Sequence, residues 1–146
     1  MATRPNFKRN AIAFIVSQAL FGVVAGAATI TVDNNGDAGT GCTLREAVGA
    51  IDAGANQNGC TNTGAAFGTN DTIIFAAGLN NSTITLAGTE ITLQNDLTID
   101  GPGPGLLSIS GDDNSRIFYI TGTAEVTIQN LTLTNGDGNG NDGGAI

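Results

Sequence analysis

Asn81-Ser82-Thr83-Ile84-Thr85-Leu86-Ala87-Gly88-Thr89-Glu90-Ile91-Thr92-Leu93-Gln94-Asn95-Asp96-Leu97-Thr98-Ile99-Asp100-Gly101 is echoed further along by Asn114-Ser115-Arg116-Ile117 and Thr121-Gly122-Thr123-Ala124-Glu125-Val126-Thr127-Ile128-Gln129-Asn130-Leu131-Thr132-Leu133-Thr134-Asn135-Gly136. Asn114 answers Asn81 and Asn130 answers Asn95, so the displacement grows slightly along the unit, as short insertions at turns would make it. A unit of this size cannot close a core alone. Stacked on its copy it buries one continuous apolar column, which is the physics of a solenoid.

Within each unit polar and apolar residues alternate, the period-2 signature of strands with one buried face, and Gly, Asn, Asp and Pro punctuate them. The pattern predicts an all-β, right-handed parallel β-helix with a short N-terminal capping helix. Ile84, Leu86, Ile91, Leu93, Leu97, Ile99, Val126, Ile128, Leu131 and Leu133 face inward, and Thr83, Thr85, Thr92, Thr98, Thr127 and Thr132 outward. A β-sandwich, also built from short strands, is the rival. Coils stacked at the spacing of the echo would place Asn95 over Asn130 in an amide ladder, although asparagine also simply suits turn conformations.

Three segments follow. Residues 1–27 read as a signal peptide: Arg4, Lys8 and Arg9 precede the mostly apolar Ala11 to Val24, and Ala25-Gly26-Ala27 has the small-x-small pattern that signal peptidases cut, before Ala28 or Thr29. A retained membrane anchor is the alternative. Residues 28–70 form the N-terminal cap. Residues 71–146 are the first coils, with tandem repeats at 81–101 and 114–136, and the break at Ile146 where another strand is due reads as truncation of a longer protein. Localisation is then extracellular or on the bacterial cell surface or outer membrane.

Beyond the leader, two arginines stand against thirteen acids, a net charge of −11 with no lysine and no histidine. Such a surface repels phosphate backbones and anionic lipid, which excludes nucleic acid as a partner and leaves membrane association only to an anchor beyond Ile146. Cys42 and Cys60 are the only cysteines; export allows them a disulfide, and two cysteines without histidine make a zinc site improbable.

Thr43-Leu44-Arg45-Glu46 is a capping box followed by Leu44, Ala47, Val48 and Ile51 at helical spacing, with Gly54 as the stop. This helix is expected to lid the open end of the apolar column. The Cys42–Cys60 bond would fasten the loop after it, and Arg45 would pair with an acid.

The stretch Cys42-Thr43-Leu44-Arg45-Glu46-Ala47-Val48 resembles the Cys-Ser-Leu-Arg-Glu-Ala-Ile signature found after the signal peptide of bacterial secreted and surface right-handed β-helix proteins. Asp71 to Phe75, Leu97 to Pro102, and Leu131 to Gly136 leading to Gly143-Gly144-Ala145-Ile146 follow the same rhythm. Host-surface or carbohydrate ligands are the partners to expect, with no catalysis in this region; the resemblance itself implies an autotransporter-passenger or adhesin-like element and identifies no ligand and no catalytic residue.

The alternative is the opening of a secreted polysaccharide-degrading β-helix enzyme. Asp112-Asp113 is the one adjacent acid pair, in a turn, with Arg116 as its nearest cation, and nucleophilic or general-base chemistry lacks actors. Asp137, Asn139, Asn141 and Asp142 place oxygen ligands along a Gly-rich loop and are the calcium candidate, although glycine is missing at its sixth position. No other cofactor is implied. The Thr-x-Thr triplets at Thr83/Thr85 and Thr132/Thr134 raise ice binding, against the plain suitability of threonine for outward strand positions.

Overall fold

The computed structural model describes residues 26–138, 140 and 143–146. The signal-peptide reading therefore falls largely outside the described residues, as do Asn139, Asn141 and Asp142 of the calcium loop.

The described chain is mostly short strands in parallel sheets, with one α-helix. Nine strands follow in order: β1 (Thr29–Val32), β2 (Asp71–Phe75), β3 (Ser82–Thr85), β4 (Ile91–Leu93), β5 (Leu97–Asp100), β6 (Leu107–Ser110), β7 (Phe118–Ile120), β8 (Val126–Gln129) and β9 (Thr132–Thr134). Helix α1 (Leu44–Ala53) lies between β1 and β2. The sheets have orders β1-β2-β5-β8, β3-β6-β9 and β4-β7. From β2 onward the chain visits them in a fixed cycle, and every pairing between these strands is parallel. Parallel pairing removes the sandwich alternative, whose sheets are antiparallel.

Registered residues share the core. Ile30, Ile73, Ile99 and Ile128 form one column across the first sheet, Ile84, Ile109 and Leu133 another, and Ile91 lies beside Phe118. Strand neighbours stand about 4.8 Å apart, so each side chain covers the next. Ile84, Leu86, Ile91, Leu93, Leu97 and Ile99 are buried as the alternation requires, while Val126, Ile128, Leu131 and Leu133 are partly buried against the same core.

The period differs from the sequence expectation. Asp71 lies beside Leu97, Leu97 beside Val126, and Ile91 beside Phe118, and the members of each pair are closer in sequence than the two copies of the echo. One pass of the chain is therefore shorter than the echo suggests. The echo matches Glu90-Ile91-Thr92-Leu93 to Glu125-Val126-Thr127-Ile128, yet β4 and β8 belong to different sheets. Ile91-Thr92-Leu93 and Val126-Thr127-Ile128 carry the same alternation, so local likeness does not fix which sheet a strand enters; turn length does.

The Asn95–Asn130 ladder is accordingly corrected. Asn95 Nδ2 donates to Asp52 Oδ1 of α1 at 2.7 Å, and Asn130 Nδ2 to Asp100 Oδ1 at 2.7 Å. Asn130 has φ 56°, so its turn conformation explains it. It sits above Gly101, where a Cβ would collide with the Asn130 carbonyl. Gly101→Ala is therefore expected to destabilise the chain by about 1–3 kcal/mol in urea unfolding, as overpacking against fixed backbone does.

Helix α1 forms where its caps specify. Glu46 N–H donates to Thr43 Oγ1 at 3.3 Å and Thr43 N–H to Glu46 Oε2 at 3.1 Å, while Gly54 closes the other end at φ 61°. Its buried face, Leu44, Ala47, Val48, Ala50 and Ile51, packs on β1, β2 and β4. Cys42 and Cys60 are bonded, with Cα atoms 4.6 Å apart, and both are buried.

Candidate functional cleft

Arg45 and Arg116, the two described arginines, organise a concave surface. Arg45, on the first turn of α1, grips Asp37 with Nε and Nη2 at 2.9 and 3.1 Å. It also donates to two carbonyls of the β3–β4 turn, Glu90 O at 2.9 Å from Nη1 and Thr89 O at 2.7 Å from Nη2. Asp37 Oδ2 accepts from Ala87 N–H as well. One fork thus ties the residues before the helix to the turn after β3, which fixes the backbone of residues 87–90.

Glu90, held by that turn, reaches Arg116 on the next pass of the chain: Nε donates to Glu90 Oε2 at 2.9 Å. The Arg116 guanidinium carbon lies 4.6 Å from the centroid of the Tyr119 ring, a cation–π contact. Glu90 and Arg116, with Gly88, Thr89, Ser115, Asp137 and Gly138, line a cleft of about 330 Å³, at the small end of ligand sites. The Ser115 hydroxyl is buried with no hydrogen-bond partner among the described residues, at a cost of about 1–3 kcal/mol unless a water or ligand group meets it.

The sequence-derived candidates distribute unevenly. Arg45 has the acidic partner expected of it, and its carbonyl contacts make it part of the cleft's rear support. Asp112 and Asp113 are exposed turn residues at φ 55° and 54°, and Arg116, their nearest cation in the sequence, pairs with Glu90. Asp137 lines the cleft, with its N–H donating to Ser115 O at 2.9 Å. Among the described residues no group of three or more His, Cys, Asp or Glu is placed to hold a metal ion. The Thr-x-Thr triplets of β3 and β9 do share register with Ser108 and Ser110 of β6. Ser110 is nevertheless buried and accepts from Asp112 N–H, and Thr132 Oγ1 accepts from Gly105 N–H, so this is not a free hydroxyl face.

Sequence reasoning missed the Glu90–Arg116–Tyr119 group, in which Glu90 lies a full pass of the chain before the other two. It also missed Asp71. This aspartate heads β2 in register with Leu97, is 1% exposed, and accepts Ala28 N–H at 2.7 Å and, more loosely, Gly68 N–H at 3.3 Å. The signal was present: a carboxylate where the equivalent positions of β5 and β8 carry Leu97 and Val126.

No family model, curated protein or solved structure matches the chain.

Proposed function

We propose that this chain is the N-terminal cap and opening coils of an exported bacterial right-handed parallel β-helix protein, with a structural or adhesive role at the cell surface and no catalysis of its own. The observation that carries this reading is the cycling of the chain through three parallel sheets, with a disulfide-fastened, capped helix packed on β1, β2 and β4. A surface-exposed element needs rigidity without a large core, and stacked parallel strands supply it. A buried disulfide fits an oxidising compartment. The resemblance of Cys42 to Val48 to the β-helix export signature points the same way.

Adhesion is assigned to the Glu90–Arg116 cleft, and a neutral saccharide is the ligand class that suits it. A carboxylate beside a guanidinium offers acceptors and donors together, as paired sugar hydroxyls require, while the net charge of −11 opposes uronates and phosphates. The test is a calorimetric titration with neutral gluco-, manno- and galacto-oligosaccharides, and with a uronate oligosaccharide as the anionic control. The expected result is millimolar binding of a neutral sugar, weakened about tenfold by Glu90→Gln and by Ser115→Ala, with the uronate weaker still. Absence of neutral-sugar binding, or binding that both variants leave unchanged, would remove the cleft from the proposal.

A further inference from the structure

The expected cleavage point and the buried acid at the head of β2 meet at one atom. Ala28 is fully buried, and its backbone nitrogen is 2.7 Å from Asp71 Oδ1. Asp71 lies in register with Leu97 of β5 and against Ala28, the residue before β1, yet no cation compensates it among the described residues: Arg45 is committed to Asp37 and Arg116 to Glu90. Buried carboxylates ordinarily have a cationic partner, because N–H groups alone repay only part of the desolvation cost.

We propose that processing supplies that partner: hydrolysis of the Ala27–Ala28 bond frees an α-ammonium at Ala28 that pairs with the Asp71 carboxylate and locks β1 onto β2. The inference rests on the reading of residues 1–27 as a removable leader. Water is the co-reactant; the C–N bond breaks, Ala27 leaves with a new carboxylate, and Ala28 keeps the nitrogen, which is protonated at neutral pH. The donor needs no relocation, since the nitrogen that becomes charged already addresses Oδ1. An amide donor is thereby replaced by a charge-assisted one at the same separation, and such bonds are roughly twice as strong as neutral ones.

The surroundings hold the new terminus in place. Thr29 N–H donates to Asn62 Oδ1 at 2.9 Å, Thr63 N–H to Thr29 O at 2.9 Å, and Thr72 N–H to Ala28 O at 2.9 Å. Asn62 belongs to the loop that Cys60 anchors, so the disulfide, the loop and the terminus form one assembly around Asp71. Cleavage does forfeit one bond, from Ala65 N–H to Ala27 O at 3.1 Å.

That loss defines the control. An acetyl group on Ala28 restores a carbonyl in the place of Ala27's and abolishes the charge. It can be added selectively to the unfolded chain, because no lysine follows residue 28; any ester formed at Tyr119 is removed with hydroxylamine before refolding.

The experiment begins with N-terminal sequencing of the exported chain, expected to start at Ala28. The unfolding equilibrium constants of the free-amine and acetylated forms are then compared, each with Asp71 and with Asp71→Asn. The free amine is expected to favour the folded state by about tenfold over the acetylated form when Asp71 is present, and to lose that advantage in Asp71→Asn. Equal stability of the two forms, or an advantage that persists in Asp71→Asn, would overturn the lock while leaving the export reading intact. A chain retaining residues 1–27 would overturn the leader reading and the lock together, and one starting at Thr29 would overturn the lock alone.

Discussion

Replacing Cys42 and Cys60 together by alanine is expected to lower the unfolding free energy by about 3 kcal/mol, the loop-closure entropy of a cross-link with a sequence separation of 18. The bond joins two segments that each hold the first strand. Cys42 N–H donates to Asp33 Oδ1 at 2.8 Å, and Cys42 O accepts from Asp33 and Asn34 N–H at 3.0 and 3.2 Å, tying the residue before the helix cap to the end of β1. On the other side, Cys60 precedes Asn62 and Thr63, which bond to Thr29. Without the cross-link both grips remain possible, but the unfolded chain regains the freedom that the bond removes. The urea midpoint should fall while the dependence on urea changes, because the reduced unfolded chain exposes more surface. Both cysteines are 1% exposed, so reductant alone should act slowly and denaturant should accelerate it. A loss below about 1 kcal/mol would mean that the loop is held by its hydrogen bonds alone.

The second large effect belongs to Ile99. It is fully buried between Ile73 and Ile128 in the column that starts at Ile30. In a stacked-strand core, truncation leaves a void bounded above and below by side chains whose backbones are held by sheet hydrogen bonds, so collapse is limited. Ile99→Ala is expected to cost about 4 kcal/mol, towards the upper end for such truncations, and Ile128→Ala about half as much because Ile128 is only partly buried. Urea unfolding of both variants with far-ultraviolet circular dichroism checks the order. Equal costs would place the two residues in equivalent environments and contradict the burial gradient along the column.

The legible part of this fold was the alternation. Ile84, Leu86, Ile91, Leu93, Leu97 and Ile99 sort inward because a strand has a period of two whatever its partner, and Thr43 to Glu46 specify a helix start within a single turn. What alternation cannot carry is register between strands. Phe118-Tyr119-Ile120 pairs with Ile91-Thr92-Leu93 without resembling it, whereas the better sequence match, Val126-Thr127-Ile128, lies in another sheet. Leu107-Ser108-Ile109-Ser110 alternates well but follows the glycines and prolines of residues 101–105 and belongs to neither copy of the echo, so only its pairing with Ser82–Thr85 reveals its place.

The cleft was legible only in its inventory. With two described arginines among so many acids, each was bound to find a carboxylate; that Arg116 selects Glu90 over its near neighbours Asp112 and Asp113 follows from the stacking of one pass of the chain on the previous one. Asp71 was hidden for the same reason, since its inward position emerges only when Leu97 and Val126 are recognised as its register mates.

Parallel stacking at a period shorter than the echo underlies the expectations for Ile99, Ile128, Gly101 and the cleft, and methyl-labelled nuclear Overhauser spectroscopy measures it directly. Cross-peaks linking Ile73 to Ile99, Ile99 to Ile128, and Ile84 to Ile109 are the expected result. Cross-peaks linking Ile91 to Val126 and Leu93 to Ile128, as stacking at the spacing of the echo would produce, would contradict it.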